Sequence, residues 1–168
     1  WSSDVCSSDL AEDATRYSRA LYVFRKRSMP DPTMTAFDAP TGDATCMRRP
    51  RSNSPLAALT SLNEPIFVEA AQAMAQRVLR EGGKSDADRI DYAFRLCTSR
   101  RPNASEREAV GQLLSSRREK LARGELKAGE IAFSPFAKAS ELPPDVTPNE
   151  IAAWAVVSRV LLDRKSTR

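Results

Sequence analysis

The residue types best suited to chemistry in this chain are arginines that lie together just before a helix start. The cluster consists of Arg48, Arg49 and Arg51, with Ser52 and Asn53 beside them. Guanidinium groups bind carboxylate, sulfate or phosphate through paired hydrogen bonds. A helix that begins at Pro55 would add unpaired N–H donors to the same anion. One interpretation is therefore an anion site that suits an acidic or sulfated polysaccharide.

The interpretation that we favour is a staple, in which the arginines pair with Asp38, Asp43 or Glu64 and hold the loop to the helices. Asp38 and Asp43 could also form a carboxylate pair for acid–base work. Both lie in turn sequences, however, where aspartate commonly hydrogen-bonds to its own backbone. The candidate binding or interdomain docking residues are Asp38, Cys46, Arg48, Arg49, Arg51 and Asn53. We name no catalytic residue.

The chain contains no histidine. This excludes Ser–His and Cys–His nucleophiles and histidine-ligated zinc or haem. The sequence also lacks a haem attachment motif and a glycine-rich phosphate loop. Outside the first ten residues the only cysteines are Cys46 and Cys97, too few for a disulfide framework or a structural zinc site. We predict no metal site and no cofactor within this chain, and the missing catalytic constellation argues against an enzyme.

Composition indicates a modest core and a weakly basic surface. The chain has 168 residues, 41% of them hydrophobic, 11 prolines and a formal net charge of +4. This surplus is too small to predict nucleic-acid binding without a concentrated patch. We read Arg117 and Arg118 as solvated helix surface. No apolar run approaches the ~18 residues that a membrane-spanning helix needs.

These residues are positioned by predicted helices, recognised from apolar periodicity and capping signals. The predicted helices cover 15–27, 55–62, about 65–81, about 86–99, about 104–123 and 148 onward. Ser85 with Asp88, and Asn103 with Glu106, are typical capping-box pairs. The segments 29–51 and 125–146 contain prolines and little periodicity, so we predict loops there. The fold class is all-α, an irregular bundle of five to six helices with long proline-containing loops.

Individual apolar residues within the helices also carry predictions. Trp154 falls on the apolar stripe of the last helix and should pack in the core. Cys97 falls on the apolar face of its own helix, so we expect a small buried hydrophobic side chain rather than a reactive thiol.

The two ends of the chain differ in character from the rest. Residues 1–10 have no helical or strand period, and we interpret them as translated sequencing-adapter read-through. Residues 164–168 resemble the start of a second such segment. On this interpretation residues 11–163 are a single helical domain fragment of a longer protein.

Four segments in fixed order carry a family resemblance. They are SRALYVFRKRSMPDPTMTAFDAP, CMRRPRSNSPLAALTSLNEPIFVEAAQAMAQRVL, RIDYAFRLCTSRRPNASEREAV and AAWAVVSRVLL. Over about residues 15–162 the chain resembles domain of unknown function family 1553, the C-terminal cytochrome-associated domain of exported planctomycete proteins. The resemblance implies export to the periplasm or cell surface, and upstream domains that include a c-type cytochrome with haem c. It carries over no catalytic residue, because none is established for the family.

Two functions remain open, with a third less favoured. The leading hypothesis is a non-catalytic accessory or interaction domain that packs against upstream domains of the same parent chain through the 37–54 loop. The alternative is a carbohydrate-active or acidic-glycan-binding domain that uses the arginine cluster. Nucleic-acid binding is the least favoured, because the second helix of the only helix-turn-helix-like pair has an acidic first turn.

Overall fold

The protein is described by a computed structural model, which covers residues 19, 22, 30–50, 52, 54–133 and 146–163. Every regular element within these residues is a helix, so the all-α prediction is confirmed. The helices are α1 (Pro32–Ala36), α2 (Pro55–Asn63), α3 (Pro65–Glu81), α4 (Asp86–Thr98), α5 (Ala104–Ala122), α6 (Ala128–Ala132) and α7 (Pro148–Asp163). The predicted helix at 15–27, the two predicted read-through ends, Arg51 and Asn53 lie outside the described residues, apart from Arg19 and Tyr22.

The chain divides into two compact units, residues 1–60 and 61–168. The second unit has its core around α7, in which eight of sixteen residues are buried. A helix that is apolar on most of its circumference belongs at the centre of a bundle, and α7 packs against α3, α4, α5 and α6. Trp154 is fully buried there, together with Phe94 and Leu114. The core position predicted for Trp154 is confirmed.

Helix ends in the second unit follow the local signals in the sequence. The Ser85 hydroxyl accepts a hydrogen bond from the Asp88 N–H at the start of α4. Asn103 and Glu106 form a complete capping box at the start of α5, each side chain accepting from the other residue's backbone N–H. Such caps replace the hydrogen-bond partners that the first turn of a helix lacks. Both predicted starts are confirmed.

Two short helices occur where the sequence predicts loops. In α1, the Asp31 carboxylate caps the first turn by accepting from the Met34 N–H at 2.9 Å. In α6, the carbonyl of Ile131 accepts from the Gln72 side chain at 2.9 Å, and Ala132 is fully buried. Reading the start of the 125–146 segment as a surface excursion was therefore wrong. Five residues are too few to display a helical period.

Candidate functional site

The candidate site in the first unit is the 37–54 loop, and Asp38 is the residue that holds its two ends together. Asp38 lies one residue beyond the C-cap of α1, Phe37, and has φ of 56°, in the left-handed region that aspartate tolerates better than most residues. Its carboxylate accepts from the Ser52 backbone N–H at 2.6 Å and from the Ser52 hydroxyl at 2.7 and 2.9 Å. These bonds bring the two ends of the loop together.

The same hydrogen bonds determine the charge of this carboxyl group. They lower the pKa of Asp38, the Ser52 backbone N–H contributing most and the Ser52 hydroxyl next, while partial desolvation opposes them and Arg49 adds a smaller attraction. Asp38 is therefore ionised at neutral pH, with its oxygen atoms engaged. It is a structural anion rather than a general acid or base.

Arg49 reinforces this closure, although with a partner that the sequence does not indicate. Its Nη2 atom donates to the backbone carbonyl of Phe37 at 3.0 Å. The favoured staple interpretation names carboxylates as the acceptors. Among the described residues, hydrogen bonds join Asp38 to Ser52, and Arg49 to a carbonyl. Pairing of Arg51 with a carboxylate stays a prediction.

The middle of the loop is open to solvent. Cys46 is an exposed free thiol, and Met47 is 100% exposed. Arg48 is exposed as well, and its guanidinium makes no hydrogen bond or ion pair with any residue that the structure describes. Of the two cluster arginines that the structure describes, Arg48 is therefore the one whose charge faces solvent.

The helix after the loop adds apolar residues to the exposed surface of this unit. Ser54 caps α2 by accepting from the Ala57 N–H at 3.1 Å, which uses one of the donors that an anion would need. Leu56 and Leu59 are 60% and 59% exposed. Residues three apart lie on the same face of a helix. Sequence reasoning missed both leucines, although their three-residue spacing in a helix of mainly small residues was a usable signal.

A second charged cluster lies in the 61–168 unit. Arg118 of α5 donates to Asp86 at 2.5 and 2.9 Å and also bonds to Glu150, whose carboxylate accepts from the indole N–H of Trp154 at 3.0 Å. Asp86 and Glu150 lie in the first turns of α4 and α7. The interpretation of Arg118 as solvated surface was therefore wrong, because Arg118 joins three helices.

The electrostatics of this second cluster are those of a structural network. Hydrogen bonds to Asp86 and Glu150 raise the pKa of Arg118, and the same pairing with Arg118 lowers the pKa of Asp86. Arg118 and Asp86 are therefore held in their charged forms, and neither is poised to exchange a proton near neutral pH. The network positions the three helices.

These observations define an all-α protein with a fastened, exposed loop and no catalytic constellation among its described residues. Residues 4–114 match the family described as PSD1, Protein of unknown function (DUF1553). The match covers more than half of the chain, including the 37–54 loop and helices α1 to α4, so the chain belongs to this family. The family resemblance inferred from the sequence is confirmed at this level.

Two other comparisons are negative. No curated protein and no solved structure matches the chain. Among the described residues, no helix combines the length and the apolar character needed to cross a membrane.

Proposed function

We propose that the chain is a non-catalytic interaction domain that binds other domains of its parent protein through a docking surface. The docking surface comprises the 37–54 loop and the exposed face of α2. The observation that carries the proposal is the concentration of exposed apolar side chains beside a fastened loop. Met47, Leu56 and Leu59 are between 59% and 100% exposed within thirteen residues of sequence.

The composition of the docking surface suits a protein partner. Single exposed apolar side chains are ordinary on protein surfaces, but three within one short segment, beside an exposed arginine, are less so. Methionine and arginine are enriched in protein interfaces, where apolar residues occupy the centre and polar residues the rim. The Asp38–Ser52 closure supports the same function, because a loop that is already ordered loses less conformational entropy on binding.

The family resemblance supplies the context of the proposal. The parent is an exported, cytochrome-c-associated planctomycete protein, located in the periplasm or at the cell surface. The partners are domains upstream of this chain, and haem c is held by one of those domains rather than by this one. This context rests on the resemblance alone.

The thiol of Cys46 provides a direct test, because it lies within the docking surface and is exposed. Maleimide labelling would be followed by peptide mass spectrometry in this chain and in the full-length parent. We expect Cys46 to label about tenfold more slowly in the parent, as for a residue buried at an interface. Cys97, in the other compact unit, is the reference thiol and should label at the same rate in both proteins.

A matched pair of variants separates docking from nonspecific protection. Leu56→Asp with Leu59→Asp should restore fast labelling of Cys46 in the parent, since charged residues are disfavoured at the centre of an interface. Glu108→Ala, on an exposed polar face of α5, should leave the labelling slow. Equal Cys46 rates in chain and parent would refute the docking function.

The exposed guanidinium of Arg48 favours the second candidate, an acidic-glycan-binding function. Dextran sulfate is the appropriate probe and neutral dextran its control. We expect Arg48→Ala together with Arg51→Ala to abolish retention on dextran sulfate, whereas Arg123→Ala, in the other unit, should not. Retention that survives the double substitution would exclude the arginine site.

A further inference from the structure

A groove with a volume of about 470 Å³ opens on the surface of the 61–168 unit. Helices α3 and α4 and the end of α7 form its mainly apolar wall. Its lining residues are Ala73, Met74, Arg77, Leu96, Cys97 and Leu162. Unlike the docking surface, this groove contains two sulfur atoms from different helices.

The two sulfur atoms lie side by side. The Cys97 thiol donates to the thioether of Met74, with Sγ and Sδ 3.6 Å apart. Both side chains are half-buried and pack against the hydrophobic core while lining the open groove. The pair is therefore held by two packed helices and can be reached from solvent.

We propose that Cys97 and Met74 form a binding site for a soft monovalent metal ion, Cu(I). Thiolate and thioether sulfur are the ligands that favour Cu(I) over harder cations. If a copper–sulfur bond is about as long as a zinc–sulfur bond, about 2.3 Å, two sulfur atoms bound to one ion can be no more than about 4.6 Å apart. The observed 3.6 Å lies within that limit, so an ion can bind without a shift of either helix.

The surroundings disfavour other metals. No group of three or more histidine, cysteine, aspartate or glutamate side chains converges among the described residues, as a zinc or calcium site would need. Arg77 also lines the groove, but its guanidinium is paired with Glu81 at 2.9 Å, which offsets its charge. The site is thus selective through the softness of its two ligands.

Binding must displace one proton. In the metal-free protein the Cys97 thiol carries the proton that it donates to the Met74 sulfur. The Cys97 S–H bond breaks, the Cys97 S–Cu bond forms and the proton passes to solvent, while the Met74 sulfur donates a lone pair without a change in charge. No electron is transferred, and copper remains Cu(I).

The test uses the full chain with Cys6→Ser and Cys46→Ser, so that Cys97 is the only thiol. Anaerobic Cu(I) titration against the chelator bicinchoninate should show one ion per chain and one proton released. Cys97→Ala should abolish binding. Met74→Leu should weaken it about tenfold or more, because even indirect partners of a metal site typically contribute that much. Met34→Leu, which alters a half-buried methionine of α1 in the other compact unit, is the matched control and should have no effect.

X-ray absorption separates the proposed pair from simple thiol ligation. We expect two sulfur neighbours of copper in the chain that carries only Cys6→Ser and Cys46→Ser, and one when Met74→Leu is added. Unchanged affinity in Met74→Leu, or binding that persists in Cys97→Ala, would overturn the proposal. So would Zn(II) binding as tight as Cu(I) binding. Far-ultraviolet circular dichroism of each variant verifies that the helices are intact.

Discussion

The carboxylate of Asp38 accepts a hydrogen bond from the backbone N–H of Ser52, 14 residues further along the chain, at 2.6 Å. Closing a loop of this length costs conformational entropy, which the Ser52 N–H and hydroxyl bonds offset. The same carboxylate sits on a residue with positive φ, where most side chains would be strained. The loop therefore needs two properties at this position, a residue that tolerates positive φ and a side chain that accepts hydrogen bonds, and aspartate has both.

The first prediction concerns this closure. Asp38→Ala removes the acceptor and keeps the unfavourable φ. The Ser52 N–H should therefore exchange with solvent much faster than in the unsubstituted chain. Amide hydrogen exchange followed by NMR measures the change. Asp38→Asn tolerates the same φ and retains one acceptor oxygen, so its exchange rate should fall between the two. Unchanged exchange in Asp38→Ala would contradict the closure.

The second prediction is the pH dependence of the same contact. The folded pKa of Asp38 is lowered below its unfolded value, so the closure is complete above the unfolded pKa of about 3.9 and is lost as the pH falls through the folded pKa. The Ser52 amide resonance should therefore titrate with a midpoint below about 3.9. In Asp38→Asn this titration should disappear. A midpoint above the ordinary aspartate value would show that the hydrogen bonds do not favour the charged form.

The third prediction concerns the network that Arg118 forms with Asp86 and Glu150. Arg118→Ala leaves two partly buried carboxylates without their shared cation. Exposed ion pairs contribute about 0–1 kcal/mol, and breaking a fully buried pair costs about 3–5 kcal/mol. For these partly exposed groups we expect a loss of about 1–2 kcal/mol in the free energy of unfolding. Urea denaturation at pH 7 measures it.

A control variant at the end of α5 and a change of pH sharpen this test. Arg123→Ala removes an arginine that follows α5 and is 65% exposed, so it should change stability by less than about 0.5 kcal/mol. Because Arg118 lowers the pKa of Asp86, the network stabilises the fold above the unfolded pKa of about 3.9 and less as the pH falls below it. The cost of Arg118→Ala should shrink at pH 3. If Arg118→Ala and Arg123→Ala lowered the free energy of unfolding equally, the network would have no structural role.

Sequence and structure agree where the determinants are local. The capping pairs Ser85–Asp88 and Asn103–Glu106 lie three residues apart, so their types alone indicate the helix starts. The buried position of Trp154 follows from the period of a sixteen-residue helix. Each of these predictions needs only one helix and its first turn.

The sequence does not predict contacts between residues that are far apart along the chain. Arg118 meets Asp86 and Glu150 across 32 residues in each direction, and no local pattern identifies that meeting. The partner of Asp38 depends on the path of the whole loop, so the sequence suggested arginine where the structure has Ser52. Asp38, Cys46, Arg48 and Arg49 lie in the segment between α1 and α2, but the sequence could not show that Arg48 faces solvent while Arg49 bonds to a carbonyl.

The fourth prediction concerns a polar atom in the core. Ser158 of α7 is fully buried, and its hydroxyl oxygen has no hydrogen-bond partner within the part of the chain that the structure describes. Burying an unpaired hydroxyl costs about 1–3 kcal/mol, and alanine also has the better helix propensity. Ser158→Ala should therefore stabilise the protein by about 1 kcal/mol in urea denaturation. Ser158→Thr, which adds a methyl group to a filled site, should destabilise it.

The fifth prediction concerns the end of α4, where Ser99 has φ of 58° and its N–H donates to the Arg95 carbonyl at 2.9 Å. This left-handed cap position favours glycine. Glycine relieves a strain of roughly 1–2 kcal/mol but adds about 0.5–1 kcal/mol of unfolded-state entropy. Ser99→Gly should therefore stabilise the protein by about 0.5–1 kcal/mol, raising the thermal midpoint by about 1–4 °C. Ser99→Ala keeps the strain and should give no gain; if alanine stabilised as much as glycine, backbone strain at Ser99 would not be the cause.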